Sequence, residues 1–105
     1  MSSGRRGGHT GVLIIAGHLL TDPDDRDAFV ADGVPVVDAA RAATGCLDFS
    51  LTADSLDPAR VNVFERWESE ADLLAFRGSG PDAGTATRII GADVRRYGVS
   101  SVGEA

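Results

Sequence analysis

The sequence predicts an α+β fold in which a four-stranded antiparallel sheet carries its helices on one face, and three observations predict it. Residues 45–54 and 60–67 are two alternating runs separated by a turn, which makes a hairpin. A β-branched run at residues 12–20 is followed directly by a strong helix start, and a second helix start at Ser69 follows the hairpin. A last alternating run at residues 92–100 completes the order strand, helix, strand, strand, helix, strand within 105 residues, the length of one domain.

Residues 1–11 hold four glycines, two serines and two arginines without apolar periodicity, and read as a mobile N-terminal arm ahead of a domain spanning residues 12–100. In residues 12–20 (VLIIAGHLL), alternation sets Val12, Ile14, Ala16 and His18 on one face and Leu13, Ile15, Gly17 and Leu19 on the other. Both faces are apolar, which suits a central strand. In the TDPDD stretch that follows, Asp22 is placed as N-cap with Pro23 at the first helical position, and the carboxylates face the positive end of the dipole. Phe29, Val36, Val37 and Ala40 at helical spacing carry that helix to Ala43, with Gly45 as its stop. Pro35 deletes the bond to the Ala31 carbonyl, so one helix bent near Gly33 is expected.

In residues 45–54 the apolar Leu47, Phe49, Leu51 and Ala53 alternate with the small or polar Cys46, Asp48, Ser50, Thr52 and Asp54. Residues 55–58 (SLDP) supply the turn. In residues 60–67, Val61, Val63, Glu65 and Trp67 share one face and Asn62, Phe64 and Arg66 the other, and neither face is purely polar. Ser69 with Asp72 three residues on is a weak capping box opening a helix over residues 70–77, which the GSGP stretch at residues 78–81 ends. Residues 82–91 read either as a loop or, from Thr85, as a short helix. The last strand sets Arg95, Tyr97 and Val99 opposite Val94, Arg96 and Gly98, and residues 101–105 are a tail. With right-handed crossovers this order is the ferredoxin-like split βαβ arrangement. It leaves one sheet face bare, and two such faces meeting would close a homodimer.

Composition narrows the function. Ten basic residues, all arginine, against 16 acidic ones give a formal net charge of −6, which argues against nucleic acid or anionic lipid as a partner. The longest apolar run, residues 12–16, is far short of the ~20 residues of a membrane span and of a secretory signal core, so a cytoplasmic protein is expected. Cys46, the single cysteine, cannot form an internal disulfide and reads as a half-buried strand residue. No His, Cys and carboxylate set has metal-site spacing, His18 with Asp22 and Asp24 being better explained by capping. The glycines of residues 78–84 follow a helix and lack the lysine of a phosphate loop, and no serine sits in a G-x-S-x-G elbow.

Gly45-Cys46-Leu47 opening a strand, Asp57-Pro58 in the turn, Glu65-Arg66-Trp67-Glu68-Ser69 closing the next strand and Val94-Arg95-Arg96-Tyr97 in the last one resemble the antibiotic biosynthesis monooxygenase family, over residues 12–99. The resemblance implies a dimeric α+β barrel with a pocket between sheet and helices. Some members oxidise aromatic polyketides to quinones with molecular oxygen and without metal, flavin or haem; others degrade haem or act on small signalling molecules. Trp67 matches the strand-end tryptophan that lines the pocket in such relatives. Leu73 stands where the polyketide oxidisers carry a tyrosine, and Ala75-Phe76-Arg77 where the haem degraders place a histidine, so no axial haem ligand is offered there.

Oxygenation without a cofactor draws its electrons from the substrate, so the protein must deprotonate a phenol-like or 1,3-dicarbonyl carbon acid and shield the anion from water. His18, with an ordinary pKa near ~6.5, is the candidate base, and reads equally as a strand-end histidine bonded to a loop carbonyl. Trp67 is the second catalytic candidate. Phe49, Asn62, Phe64, Arg66, Phe76 and Tyr97 are the substrate-binding candidates. Against that role, Phe49 and Phe64 also read as core, and Asn62 and Arg66 as paired across the hairpin; Glu65 and Glu68 read as salt-bridge partners. The expectation is a cofactor-independent monooxygenase acting on a small aromatic or enolisable substrate; the alternative is a non-catalytic barrel that binds a small hydrophobic ligand or serves as an accessory subunit.

Overall fold

The computed structural model describes residues 11–78 and 83–105. Its strands are β1 (Leu13–Thr21), β2 (Cys46–Ala53), β3 (Arg60–Trp67) and β4 (Ile89–Gly98), hydrogen-bonded in the order β2-β3-β1-β4 with every neighbouring pair antiparallel. The helices are α1 (Arg26–Asp32), α2 (Val34–Ala42), α3 (Glu70–Arg77) and α4 (Ala83–Arg88). This is the split βαβ order expected, with the most apolar run, β1, at the centre.

Pairing register sorts the side chains into two faces. Trp67, Glu65, Val63 and Val61 of β3 lie opposite Leu13, Ile15, Gly17 and Leu19 of β1, and the last three of those β3 residues lie opposite Phe49, Leu51 and Ala53 of β2. This is the helix side: Ala40 of α2 and Leu73 of α3 are buried in one cluster with Ile15, Phe49 and Trp67. The opposite face carries Ile14, Ala16, His18 and Leu20, Ser50 and Thr52, Asn62, Phe64 and Arg66, and Asp93, Arg95 and Tyr97, none of them buried.

The structure departs from expectation where backbone geometry overrides pattern. Two helices replace the single bent one: α1 and α2 meet at Gly33, whose N–H donates to the Phe29 and Val30 carbonyls and whose carbonyl accepts from Val37, with Pro35 in the first turn of α2 where a missing N–H does no harm. Asp22 is not the N-cap. Its Oδ1 accepts from the Asp24 N–H at 2.8 Å in a turn, and α1 begins four residues later, anchored by Arg88 of α4, which pairs with Asp25 at 2.8 Å and Asp32 at 3.0 Å. The ambiguous stretch is helical as α4, and β4 starts at Ile89, three residues before the strand expected.

Half of the capping box at α3 is present: Ser69 Oγ accepts from the Asp72 N–H at 3.1 Å, while the Asp72 carboxylate accepts from the Ser69 hydroxyl at 2.9 Å instead of from the Ser69 backbone N–H. Gly45, at φ +80°, turns the chain from α2 into β2 in a space where a Cβ would lie 2.1 Å from the Asp72 carboxylate. Among the described residues no helix is long and apolar enough to cross a membrane. The expected N-terminal arm, apart from Gly11, and residues 79–81 of the expected helix stop lie outside the described residues.

Candidate functional site

Alternation in β3 turns Trp67 toward the helices, and α3, starting three residues later, folds back over it. The indole is 0 % exposed. Phe76, on the last turn of α3, stands with its ring centroid 5.4 Å from the Trp67 ring and 5.9 Å from that of Phe49, the second contact edge-on. Leu73, Ile15 and Ala40 fill the remaining space around the indole. The indole N–H donates to Glu65 Oε1 at 3.0 Å, so the polar end of the ring system is met by a carboxylate that is itself 9 % exposed.

An open cleft of ≈ 430 Å³ is lined by Gly11, Val12, Leu13, Glu70, Gly98 and Val99 among others, and Leu13 is its link to the ring set. Leu13 lies opposite Trp67 in the β1–β3 register and packs against the same core. Glu70 at the cleft pairs with Arg96 of β4, which stands on the helix side opposite Ile15. Cys46 lies opposite Trp67 on the other side, in β2, and burial pushes its thiol up from the usual range.

Of the expected site residues, the structure brings together Trp67, Phe49 and Phe76. It does not bring His18 to them. His18 pairs with Asn62, five residues before Trp67, and an odd separation along a strand puts the imidazole and the indole on opposite faces of the sheet. Asn62, Phe64, Arg66 and Tyr97 share the open face with His18. There Asn62 is engaged, donating to Asp54 at 2.9 Å and accepting from Arg60 at 2.7 Å, Arg66 is exposed opposite Asp48, and Tyr97 is 53 % exposed opposite Ile14. Asp93, beside His18 in the register, is held below the usual carboxylate range by the hydrogen bond from Arg95, the charge of His18 adding a little.

Glu65 is the residue whose place differs most from its reading. It was expected to be a salt-bridge partner, yet it lies among apolar side chains and accepts from the indole. The signal was in the alternation, which sets it on the Val61, Val63 and Trp67 face.

Sheet order, split βαβ connection and a buried aromatic cluster on the helix side define a ferredoxin-like α+β domain. The profile of the family described as antibiotic biosynthesis monooxygenase matches residues 13–83. The chain belongs to that family. It is 26 % identical over 61 residues to the uncharacterized protein sll1783 of Synechocystis sp., a match spanning 58 % of this chain and 42 % of that protein, so the chain spans less than half the length of this curated relative. Among solved structures it is similar to a Chloroflexus aurantiacus protein carrying the same family name, at 24 % identity and TM-score 0.71, covering 90 % of this chain and 97 % of that one. It is similar also to Rv0793 of Mycobacterium tuberculosis, at 23 % identity and TM-score 0.68, covering 90 % and 98 % respectively. At these identities the structural likeness speaks for the fold.

Proposed function

We propose that the protein is a monooxygenase that works without a cofactor, oxidising a flat aromatic or enolisable substrate with molecular oxygen in the hollow around Trp67, and that it does so as a homodimer. The observation that carries this reading is the ring set beneath α3: an indole walled by Phe49 and Phe76 on the helix side of the sheet, with an open cleft ending on the leucine opposite it. Phe76 is half-buried, and it is the ring that must swing aside for a flat substrate to stack on the indole. Inside, water is excluded, which protects a substrate carbanion until oxygen captures it. For an anthrone-type substrate the reaction balances as anthrone plus O2 giving anthraquinone plus water. His18, Asn62, Phe64, Arg66 and Tyr97 belong, in this reading, to the face where the second copy docks.

The test is oxygen uptake with anthrone in metal-free buffer, measured against the buffer rate. Uptake above that rate, with kcat/KM lowered on the order of 100-fold in Trp67→Ala, is expected. A wild-type rate equal to buffer sinks the proposal. A second reading, a barrel that holds a hydrophobic ligand without converting it, is favoured by Leu73, which is fully buried where the polyketide oxidisers have a tyrosine. It would show as quenching of Trp67 fluorescence by anthrone with no oxygen consumed.

A further inference from the structure

Thr21 and Glu65 are the two buried polar side chains among the described residues, and only the first has a structural explanation. The Thr21 hydroxyl donates to the Asp22 carbonyl at 3.1 Å, and its N–H donates to the Ala59 carbonyl at 2.9 Å, tying the end of β1 to the hairpin. Glu65 stands in the middle of the sheet between Phe49 of β2 and Ile15 of β1, both buried. Its one hydrogen bond among the described residues comes from Trp67 Nε1 to Oε1, which leaves Oε2 without a protein donor. No arginine forms an ion pair with it among the described residues. A carboxylate anchored through one oxygen and without a hydrogen bond at the other, with little water around it, is built to receive a proton, because no solvent shell must be stripped away before transfer.

Resting on the monooxygenase reading above, we propose that Glu65 is the catalytic base, taking the acidic C–H proton of a substrate stacked on Trp67. The C–H bond breaks, the proton moves to Oε2, and the electron pair stays on the substrate as an enolate. Oxygen accepts those electrons and the new C–O bond forms a peroxide anion, which the Glu65 carboxylic acid reprotonates. Glu65 then removes the remaining proton on that carbon as the O–O bond breaks, and hydroxide leaves to take that proton as water. The ring carbonyl is formed and Glu65 is a carboxylate again. A fixed carboxylate beside the indole and a chain charge of −6 select a neutral carbon acid, such as an anthrone or a 1,3-dicarbonyl on a flat ring, over an anionic one. Trp67 holds Glu65 in place and supplies the stacking surface.

Glu65→Gln keeps an oxygen to accept the indole N–H and removes the ability to take a proton. Two measurements on anthrone separate this inference from the reading beneath it: oxygen uptake in air, and exchange of the acidic C–H for deuterium in D2O without oxygen, each against buffer. Wild type is expected to accelerate both, and Glu65→Gln, melting near the wild-type temperature, to lose both by on the order of 1,000-fold. A folded Glu65→Gln that keeps its exchange and uptake rates shows a merely structural glutamate and overturns the inference while the monooxygenase reading stands. Exchange in wild type that depends on Glu65, without oxygen uptake, upholds Glu65 as base and overturns the monooxygenase reading. Wild type inert in both sinks the two together. Should Glu65→Gln not fold, the wild-type protein answers instead: emission of Trp67, the single tryptophan, should titrate with the midpoint of the acid limb of kcat/KM for exchange, and separate midpoints overturn the assignment.

Discussion

At Gly17 the sheet leaves no room for a side chain. A Cβ built there would lie 1.9 Å from the Asp93 carbonyl oxygen and 2.8 Å from the Val94 Cα, both backbone atoms of β4, and the residue sits at φ +151°, where L side chains are strained. The close approach is what lets β4 pair with β1 along nearly its whole length. Gly17→Ala should therefore push β4 outward and destabilise the fold by on the order of 3 kcal/mol in urea melts. A loss below about 0.5 kcal/mol, the range of ordinary surface substitutions, would mean that the two backbones are not in contact there. The effect on β4 also separates Gly17 from its neighbour His18, whose side chain leaves the same strand on the open face. Trp67 differs from both, since it joins packing and hydrogen bonding in one residue: its ring is core to Leu73 and Phe76, and its N–H is the one anchor that Glu65 has among the described residues.

Among the elements, the β2–β3 hairpin depends on one carboxylate. Asp54 accepts from the Asp57 N–H at 2.9 Å, the Asn62 side chain at 2.9 Å and the Leu56 N–H at 3.1 Å, and these bonds, the first above all, hold its carboxyl down at about 2 against an ordinary 3.8. The folded value lies below the unfolded one, so this stabilisation is complete above about pH 4 and disappears as the pH falls through about 2. Unfolding free energy of the wild type should thus fall between pH 4 and pH 2 more steeply than that of Asp54→Asn, which does not titrate; parallel curves would remove Asp54 from the account. The hairpin was legible in the sequence because alternation and an Asp-Pro turn agree, and α3 because Ser69 and Asp72 bracket its first turn. The bulge in β2 was not. Alternation sends Leu47 inward, but the register slips between Cys46 and Asp48, so Cys46 faces Trp67 and Leu47 is left exposed. The candidate site was half legible for a related reason. Each strand reveals its own two faces, yet only the pairing register says which face of β1 matches which face of β3. With β1 apolar on both, nothing in the chain alone kept His18 apart from Trp67.

For the whole molecule, the open face of the sheet is where the proposed dimer is tested. It presents Ile14, Ala16, Leu20, Phe64 and Tyr97 with none of them buried, and an apolar sheet face of this kind calls for a cover. Its charges balance: Asp48, Asp54 and Asp93 are matched by Arg60, Arg66 and Arg95, with Arg95 paired to Asp93 at 2.8 Å and Arg60 near Asp54 at 3.7 Å. With these described charges balanced and a formal −6 over the whole chain, the proposed dimer should meet through this face without the repulsion that the other surfaces carry. Sedimentation equilibrium at micromolar concentration should give twice the 10.9 kDa chain mass. Phe64→Glu, which puts a charge in the middle of the face and touches nothing on the helix side, should give a monomer with unchanged circular dichroism. Raising the salt from about 0.1 M to 1 M shortens the screening length from about 10 Å to about 3 Å and should strengthen the dimer, since what it removes is long-range repulsion between two anions. A wild-type monomer, or a dimer that salt dissociates, would contradict a docking face of balanced charge.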